Sequence, residues 1–120
     1  MKVLLLAHEA PEDFALREDK AAVEAYMKRW RDFGDSLRDA GVYVRGMALE
    51  QPHTATVVSL QNGKRTVEDG PFPDSKEQLG GFVLIDVGSL NEAAKWAEKC
   101  PAAARGFVDI RVIPDYGQGD

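Results

Sequence analysis

The sequence is poor in the features that mark several large classes of protein. It contains a single cysteine, Cys100, so no disulfide can form within the chain, and we expect a reducing, cytoplasmic compartment. Its 15 Lys and Arg residues are outnumbered by 20 Asp and Glu residues. The resulting net charge of −5 argues against a nucleic-acid partner, because phosphate binding needs clustered basic side chains. The apolar run at residues 3–7 is too short for a signal-peptide core or a membrane span, so no membrane partner is expected.

Repeats and low-complexity segments are also missing, and acidic and basic residues are mixed along the whole chain. Hydrophobic residues make up 44% of the 120 residues and charged residues 29%, which is typical of a soluble globular protein. A chain of this length can bury one core without disulfides or metals. We therefore predict a single domain over residues 1–120.

Apolar periodicity gives the order of the secondary structure. Residues 2–7 form a continuous apolar run, which indicates a strand buried on both faces. A polar connection follows, and Val23, Trp30 and Leu37 then fall on one helical stripe that ends at Gly41, with Asp19 as the expected N-cap. Strands are predicted at residues 2–7, 42–49, 54–60, 65–68, 80–87 and 106–113, and helices at residues 20–40 and 90–100.

Two local signals fix the connections. Asn62-Gly63 between two β-rich segments is a strong hairpin signal. Ser89 and Glu92 have capping-box spacing at the start of the second helix, which Pro101 ends. The order is βαβ, a hairpin, then βαβ. It predicts an α+β fold, a ferredoxin-like βαββαβ sandwich with an inserted β-hairpin. Two helices cover only one face of such a sheet, so we expect a homodimer that buries the other face.

One stretch is specific enough to indicate a family. Residues 69–103, "DGPFPDSKEQLGGFVLIDVGSLNEAAKWAEKCPAA", resemble the DGPF group of YCII-related proteins, and the helix and strand within residues 25–49 are similar too. The resemblance implies a dimeric α/β-barrel. It also implies an activity that is mostly undefined: some YCII-related proteins are enzymes with a His–Asp pair, and some DGPF proteins are encoded beside sigma factors. The helix at residues 20–40 has no histidine, and Trp30 stands where the family histidine would fall.

The loop that carries the DGPF motif offers the first candidate site residues. Asp69 can close a turn before Gly70-Pro71, or that rigid turn can point its carboxylate into a cleft as a general base. Phe72 can plug the core or form a cleft wall. Lys76 and Glu77 are either a solvated pair or polar groups above a pocket. We predict Phe72, Lys76 and Glu77 as ligand-binding residues. Gly80-Gly81 would allow another backbone to approach closely.

The two histidines complete the candidate catalytic group. His8 follows the first strand and His53 precedes the hairpin, and in a ferredoxin-like sheet both can lie near Asp69. We predict His8, His53 and Asp69 as catalytic residues. The same groups suit a divalent metal, but no tight histidine spacing supports one, so we assign neither metal nor cofactor.

Other side chains have simpler interpretations. Cys100 is expected to be a buried core thiol. The bulky helical stripe of Tyr26, Met27, Trp30 and Phe33 packs on the sheet or lines a hydrophobic pocket.

Two functions remain open at this stage, and the residues do not decide whether the protein is an enzyme. One is a small enzyme that performs acid–base chemistry on a small molecule, in a pocket near the DGPF loop. The alternative is a non-catalytic ligand-binding or regulatory module associated with sigma-factor-dependent transcription. A third hypothesis is a purely structural dimer, in which the DGPF loop is only a turn.

Overall fold

The computed structural model describes residues 1–71 and 75–115. Six strands and three helices follow one another in this part of the chain, with 3₁₀ turns at Pro52–Thr54 and Pro101–Ala103. In chain order they are β1 (Lys2–Glu9), α1 (Pro11–Leu16), α2 (Val23–Asp39), β2 (Tyr43–Ala48), β3 (Thr56–Gln61), β4 (Lys64–Asp69), β5 (Gln78–Asp86), α3 (Leu90–Lys99) and β6 (Phe107–Val112).

Four of the strands form one antiparallel sheet in the order β2-β5-β1-β6. This order, with α2 and α3 as the crossover helices, is the ferredoxin-like α+β arrangement, so the predicted fold class is confirmed. The predicted hairpin is present as well. β3 and β4 form a separate two-stranded sheet, and Asn62 and Gly63 between them have φ angles of 54° and 75°. Two consecutive positive φ angles are those of the type I′ turn that Asn-Gly favours.

The core lies between one face of the sheet and the two long helices. Phe33 and Leu37 of α2 pack there with Ala93 and Ala97 of α3. Cys100 belongs to the same cluster with 3% of its surface exposed, and burial raises the pKa of its thiol to about 11. The remaining core residues are Val3, Leu5, Ala7, Val42, Val83, Ile85, Val87 and Ala102.

The opposite face of the sheet, which we call the open face, is apolar but not buried. Alternate residues of β1 are buried, and the residues between them are partly exposed, so the prediction that this strand is buried on both faces is wrong for the single chain. Leu4 lies opposite Leu84 and Leu6 opposite Phe82, and paired residues of neighbouring strands share a face. All four side chains are partly exposed.

Residues 8–19 are not the polar connection that the sequence predicts. β1 continues to Glu9, and the short helix α1 follows, with Pro11 at its start. Proline suits the first helical position because its missing N–H has no partner there in any case. Asp13 of α1 is buried, with Oδ1 3.4 Å from Nη1 of Arg105.

The residues predicted to cap the helices lie near the helix ends, although the Asp19 and Glu92 carboxylates accept N–H groups at positions beside the predicted ones. Asp19 does not cap α2; its carboxylate accepts the N–H of Ala21 at 2.9 Å, in the turn before the helix. Gly41 has a φ of 75° and ends α2 in a Schellman motif. At α3, Ser89 Oγ accepts the Glu92 N–H at 3.1 Å, while the Glu92 carboxylate accepts the N–H of Gly88, one residue before the cap.

Candidate functional site

The three predicted catalytic residues occupy different parts of the fold. Asp69 is the last residue of β4, where it is exposed and lies opposite Thr56. His53 is exposed in the first 3₁₀ turn, and His8 lies in β1. Between described residues, no hydrogen bond or ion pair joins any two of these side chains. Their joint catalytic role stays a prediction.

The predicted ligand-binding residues lie in or beside the short turn before β5. Lys76 is exposed and Glu77 is partly buried. The Ser75 hydroxyl donates to the Glu77 carbonyl at 2.6 Å, which closes the turn. Phe72 lies outside the described residues. Gly70 donates its N–H to the carbonyl of Ala55 at 2.8 Å, which ties the DGPF loop to the segment before the hairpin.

His8 has a different acidic neighbour from the one expected. Its Nε2 lies 3.0 Å from Oδ2 of Asp109, and its ring stacks on Phe107 with centroids 4.5 Å apart. The contact between Nε2 of His8 and Oδ2 of Asp109 lacks hydrogen-bond geometry. It is an ion pair when His8 is protonated and no bond otherwise. Because Leu6 and His8 both alternate with buried residues of β1, this pair belongs to the open face.

A buried polar cluster, which the sequence did not predict, lies at the end of β1 on the helix side of the sheet. Glu9 has a side chain that is 2% exposed. Its Oε2 accepts Nη2 of Arg17 at 2.7 Å and its Oε1 accepts the hydroxyl of Tyr26 at 2.5 Å. Arg17 Nε in turn donates to the Tyr26 oxygen at 3.1 Å. We call these three side chains the Glu9 cluster.

Arg17 fastens this cluster to the backbone of two strands. Its Nη2 donates to the Gly80 carbonyl at 3.0 Å, and its Nη1 donates to the Leu49 carbonyl. The guanidinium thus joins β1, α2, β5 and the chain beyond β2. Buried charged groups are stabilised only when they are paired and hydrogen-bonded, and both conditions hold here.

The cluster changes the acidity of its members. Burial, together with the hydrogen bond to Glu9, raises the pKa of Tyr26 to about 12. Burial by itself would lower the pKa of Arg17, but its interactions with Tyr26 and Glu9 outweigh burial and raise it. Tyr26 therefore keeps its proton, and Arg17 its charge, at neutral pH.

The structure explains why the motif has glycine at positions 80 and 81. A Cβ atom on Gly80 would lie 1.9 Å from Oε2 of Glu9, so only glycine leaves room for that carboxylate. A Cβ on Gly81 would lie 2.9 Å from the backbone carbonyl oxygen of Met47 in the neighbouring strand. The expected close approach of another backbone is therefore present at Gly81, whereas at Gly80 the neighbour is a side chain.

A cavity of about 390 Å³ lies between α2 and the strands β2 and β5. Arg17 and Tyr26 of the Glu9 cluster line it, while His8, His53 and Asp69 are not among its described lining residues. The predicted stripe of α2 takes both of its expected roles, since Tyr26 and Phe33 are buried, and all four of its side chains line the cavity. The apolar walls are formed by Met27, Trp30, Phe33, Tyr43 and Val83.

The described residues contain no group of three or more His, Cys, Asp or Glu side chains that could hold a metal ion. None of the helices within residues 1–71 and 75–115 is long and apolar enough to cross a membrane.

Fold and cavity together define a class: a ferredoxin-like α+β protein with an inserted hairpin and an apolar cavity beneath its first long helix. The chain belongs to the family of the YCII-related domain, whose model matches residues 1–116. An uncharacterized protein from Rhizobium meliloti (strain 1021) is 42% identical to it over 60 residues, which are 48% of this chain and 48% of that protein. The match thus spans about half of the relative's length.

A solved structure has the same fold over its full length. It is the 5-chloro-2-hydroxyhydroquinone dehydrochlorinase TftG from Burkholderia phenoliruptrix AC1100, in complex with 2,5-dihydroxybenzoquinone. The superposition has a TM-score of 0.52 with 16% sequence identity, and it covers 100% of both chains. At this identity the likeness concerns the fold.

Proposed function

We propose that this protein binds a small molecule in the cavity between α2 and the sheet. The observation that carries the proposal is the cavity itself, whose apolar walls end at the buried Glu9 cluster. Small-molecule sites are typically apolar cavities of roughly 300–1,000 Å³ with a few convergent polar groups, and 390 Å³ falls within this range. A buried, charged cluster beside a cavity is also more frequent at functional sites than elsewhere.

Acid–base catalysis in the same cavity is the second candidate function. Tyr26 lines the cavity, and its hydroxyl proton is held by Glu9. Since the raised pKa of about 12 keeps Tyr26 protonated at neutral pH, Tyr26 would serve as a proton donor only when its hydroxyl turns from Glu9 to the ligand. The dehydrochlorinase of the same fold supports an enzymatic function. The catalytic role predicted for Asp69, His8 and His53 would lie outside this cavity, because none of the three is among its described lining residues.

A blocked cavity tests the binding function. We expect Met27→Trp to fill the cavity mouth, because Met27 lines it and is 45% exposed. Leu90→Trp is the matched control, since Leu90 is 52% exposed at the start of α3 and does not line the cavity. A library of small aromatic and aliphatic acids, amides and alcohols would be screened by saturation-transfer NMR. Ligands should be lost with Met27→Trp and kept with Leu90→Trp; ligands that bind both variants equally would contradict the proposal.

Tyr26→Phe separates the two candidate functions. The change removes the hydroxyl and leaves the ring in the cavity wall. A catalytic Tyr26 would lose turnover of a bound ligand while its affinity changes little. A ligand that is never converted by the unmodified protein argues for the binding module, which is also what the sigma-factor-associated alternative requires.

We further propose that the chain forms a homodimer through the open face. The support is the row of partly exposed Leu4, Leu6, Phe82 and Leu84, together with the exposed Phe107 beside it, because apolar sheet faces of this kind are normally covered. Light scattering after size exclusion should give twice the chain mass. Leu6→Glu should halve it, and Leu90→Glu, at an exposed leucine on the helix side, should not. A monomeric unmodified protein at micromolar concentration would refute the dimer.

A further inference from the structure

We propose that the ligand of the cavity is a planar aromatic anion, such as an aromatic carboxylate or phenolate. This inference rests on the proposed binding function and assigns its chemical class. Its first support is the sign of the charges around the cavity. Within the described ranges, the charged lining residues are Arg17, Arg31 and Arg38, and no Asp or Glu lines it. The chain as a whole has more acidic than basic residues, so this lining runs against its average.

Two of these arginines have charge to offer a ligand. Arg17 is offset by Glu9, and its N–H groups already bind Glu9, Tyr26 and two backbone carbonyls. Arg31 lies 3.6 Å from a Glu24 carboxylate oxygen, and Arg38 Nη1 donates a long hydrogen bond of 3.5 Å to Oδ1 of Asp35. Both side chains are more than half exposed, so these pairs are weak. The two outer arginines can therefore exchange these partners for a ligand anion, while the inner end of the cavity is electrically satisfied.

Arg38 is held over the cavity by its surroundings. Its guanidinium carbon lies 4.2 Å from the centre of the Tyr43 ring, which also lines the cavity. Gly34, one turn earlier on α2, has no side chain, and a Cβ there would lie 3.1 Å from Nη1 of Arg38. The glycine thus leaves room for the arginine to fold back towards Tyr43. A guanidinium fixed on an aromatic ring is well placed to receive a carboxylate.

The walls favour a flat ligand. On the sheet side, Gly46 and Gly81 line the cavity with backbone in place of side chains, whereas the space beside Gly80 is filled by the Glu9 carboxylate. On the helix side lie Trp30 and Met27. An aromatic ring can pack between a flat backbone surface and an aromatic side chain with little lost space. The ring would point inward and the anionic group outward, to Arg31 and Arg38.

Three probes of similar size separate the parts of this inference: 2-naphthoate, 2-naphthamide and decahydronaphthalene-2-carboxylate, each titrated calorimetrically into the full chain. We expect 2-naphthoate to bind about tenfold more tightly than either other probe. Arg31→Gln and Arg38→Gln should each weaken it about fivefold and leave the amide unchanged. Lys28→Gln is the matched control, because Lys28 is a cation of the same helix that does not line the cavity.

Each contrary result overturns a defined part of the inference. Equal affinity for naphthoate and naphthamide would refute the anion, and equal affinity for the two carboxylates would refute the planar ring. Naphthoate binding that survives Met27→Trp would place the anion outside the cavity. If none of the three probes binds, the ligand class is wrong. The proposed binding function is then judged separately, by whether other members of the wider library lose binding with Met27→Trp.

Discussion

Gly80→Ala should disrupt the Glu9 cluster. The new Cβ would lie 1.9 Å from Oε2 of Glu9, 2.9 Å from its carboxyl carbon and 3.1 Å from Nη2 of Arg17. The carboxylate has to move, and it cannot keep both its bond to Arg17 and its bond to Tyr26. Separating a buried ion pair costs about 3–5 kcal/mol, and crowding a packed interior costs about 1–3 kcal/mol. We therefore expect the free energy of unfolding to fall by about 3 kcal/mol, on the order of 10 °C in Tm.

Urea denaturation of the unmodified protein, Gly80→Ala, Glu9→Ala and the double variant tests the cause as well as the size of this loss of stability. Glu9→Ala alone should be costly too, because it leaves the Arg17 charge without its partner. In that background the Cβ of Gly80→Ala meets no carboxylate, so the second change should cost less than about 1 kcal/mol. The coupling energy of the cycle is then about 2–3 kcal/mol. Equal losses in the two backgrounds would show that the glycine is needed for its backbone conformation, and the reasoning would be wrong.

Other perturbations follow from single features of the structure. The pKa of Cys100 is raised from 9.0 to about 11 and that of Tyr26 from 10.0 to about 12, so the folded state holds both protons more tightly than the unfolded chain. Stability should be full below pH 9 and fall as the pH rises from 9 to 12; urea midpoints of Cys100→Ala should fall less between pH 9 and 11. The same thiol should react with a disulfide reagent at pH 8 only after unfolding. Gly41→Ala should lower the unfolding free energy by about 1 kcal/mol, because φ is 75° there. Gly34→Ala, inside the same helix, gains up to about 1 kcal/mol of helix propensity and loses part of it because its Cβ would lie 3.1 Å from Nη1 of Arg38, so its net effect should be small; two losses of equal size would contradict the conformational argument.

Local sequence signals predicted most of the fold because each one acts over a few residues. Asn62-Gly63 specifies a turn whose two positive φ angles almost no other pair adopts. Gly41 ends α2 through the same freedom, and the apolar run of β1 is long enough to be a strand whatever surrounds it. α1 was missed because it has only six residues, and its two buried side chains, Asp13 and Phe14, are adjacent in the sequence and show no helical stripe.

The candidate site was harder to predict because its members are brought together only by the fold. Glu9 appears in the sequence as the start of a polar connection, but it continues the alternation of Val3, Leu5 and Ala7 on the buried face of β1. That alternation was the available signal: an acid at an inward position of a strand must find buried partners. Its partners, Arg17 and Tyr26, carry no comparable mark, since one follows a short helix and the other resembles an ordinary core tyrosine.

The DGPF-group motif at residues 69–82 contributes to the candidate site chiefly through its two glycines, whose missing side chains leave room for neighbouring atoms. Gly80 admits the Glu9 carboxylate, its carbonyl binds Arg17, and both Gly80 and Gly81 line the cavity wall. Asp69, from the other end of the same motif, is exposed at the end of the hairpin. The glycine pair therefore belongs to the proposed binding site, whereas the catalytic role of Asp69 stays a prediction. If the ligand lies against that wall, Gly81→Ala should change affinity, because its Cβ would lie 2.9 Å from the Met47 carbonyl oxygen and push apart the strands that form the wall. Asp69→Ala should leave affinity within about twofold, because charges at exposed positions outside a site contribute little.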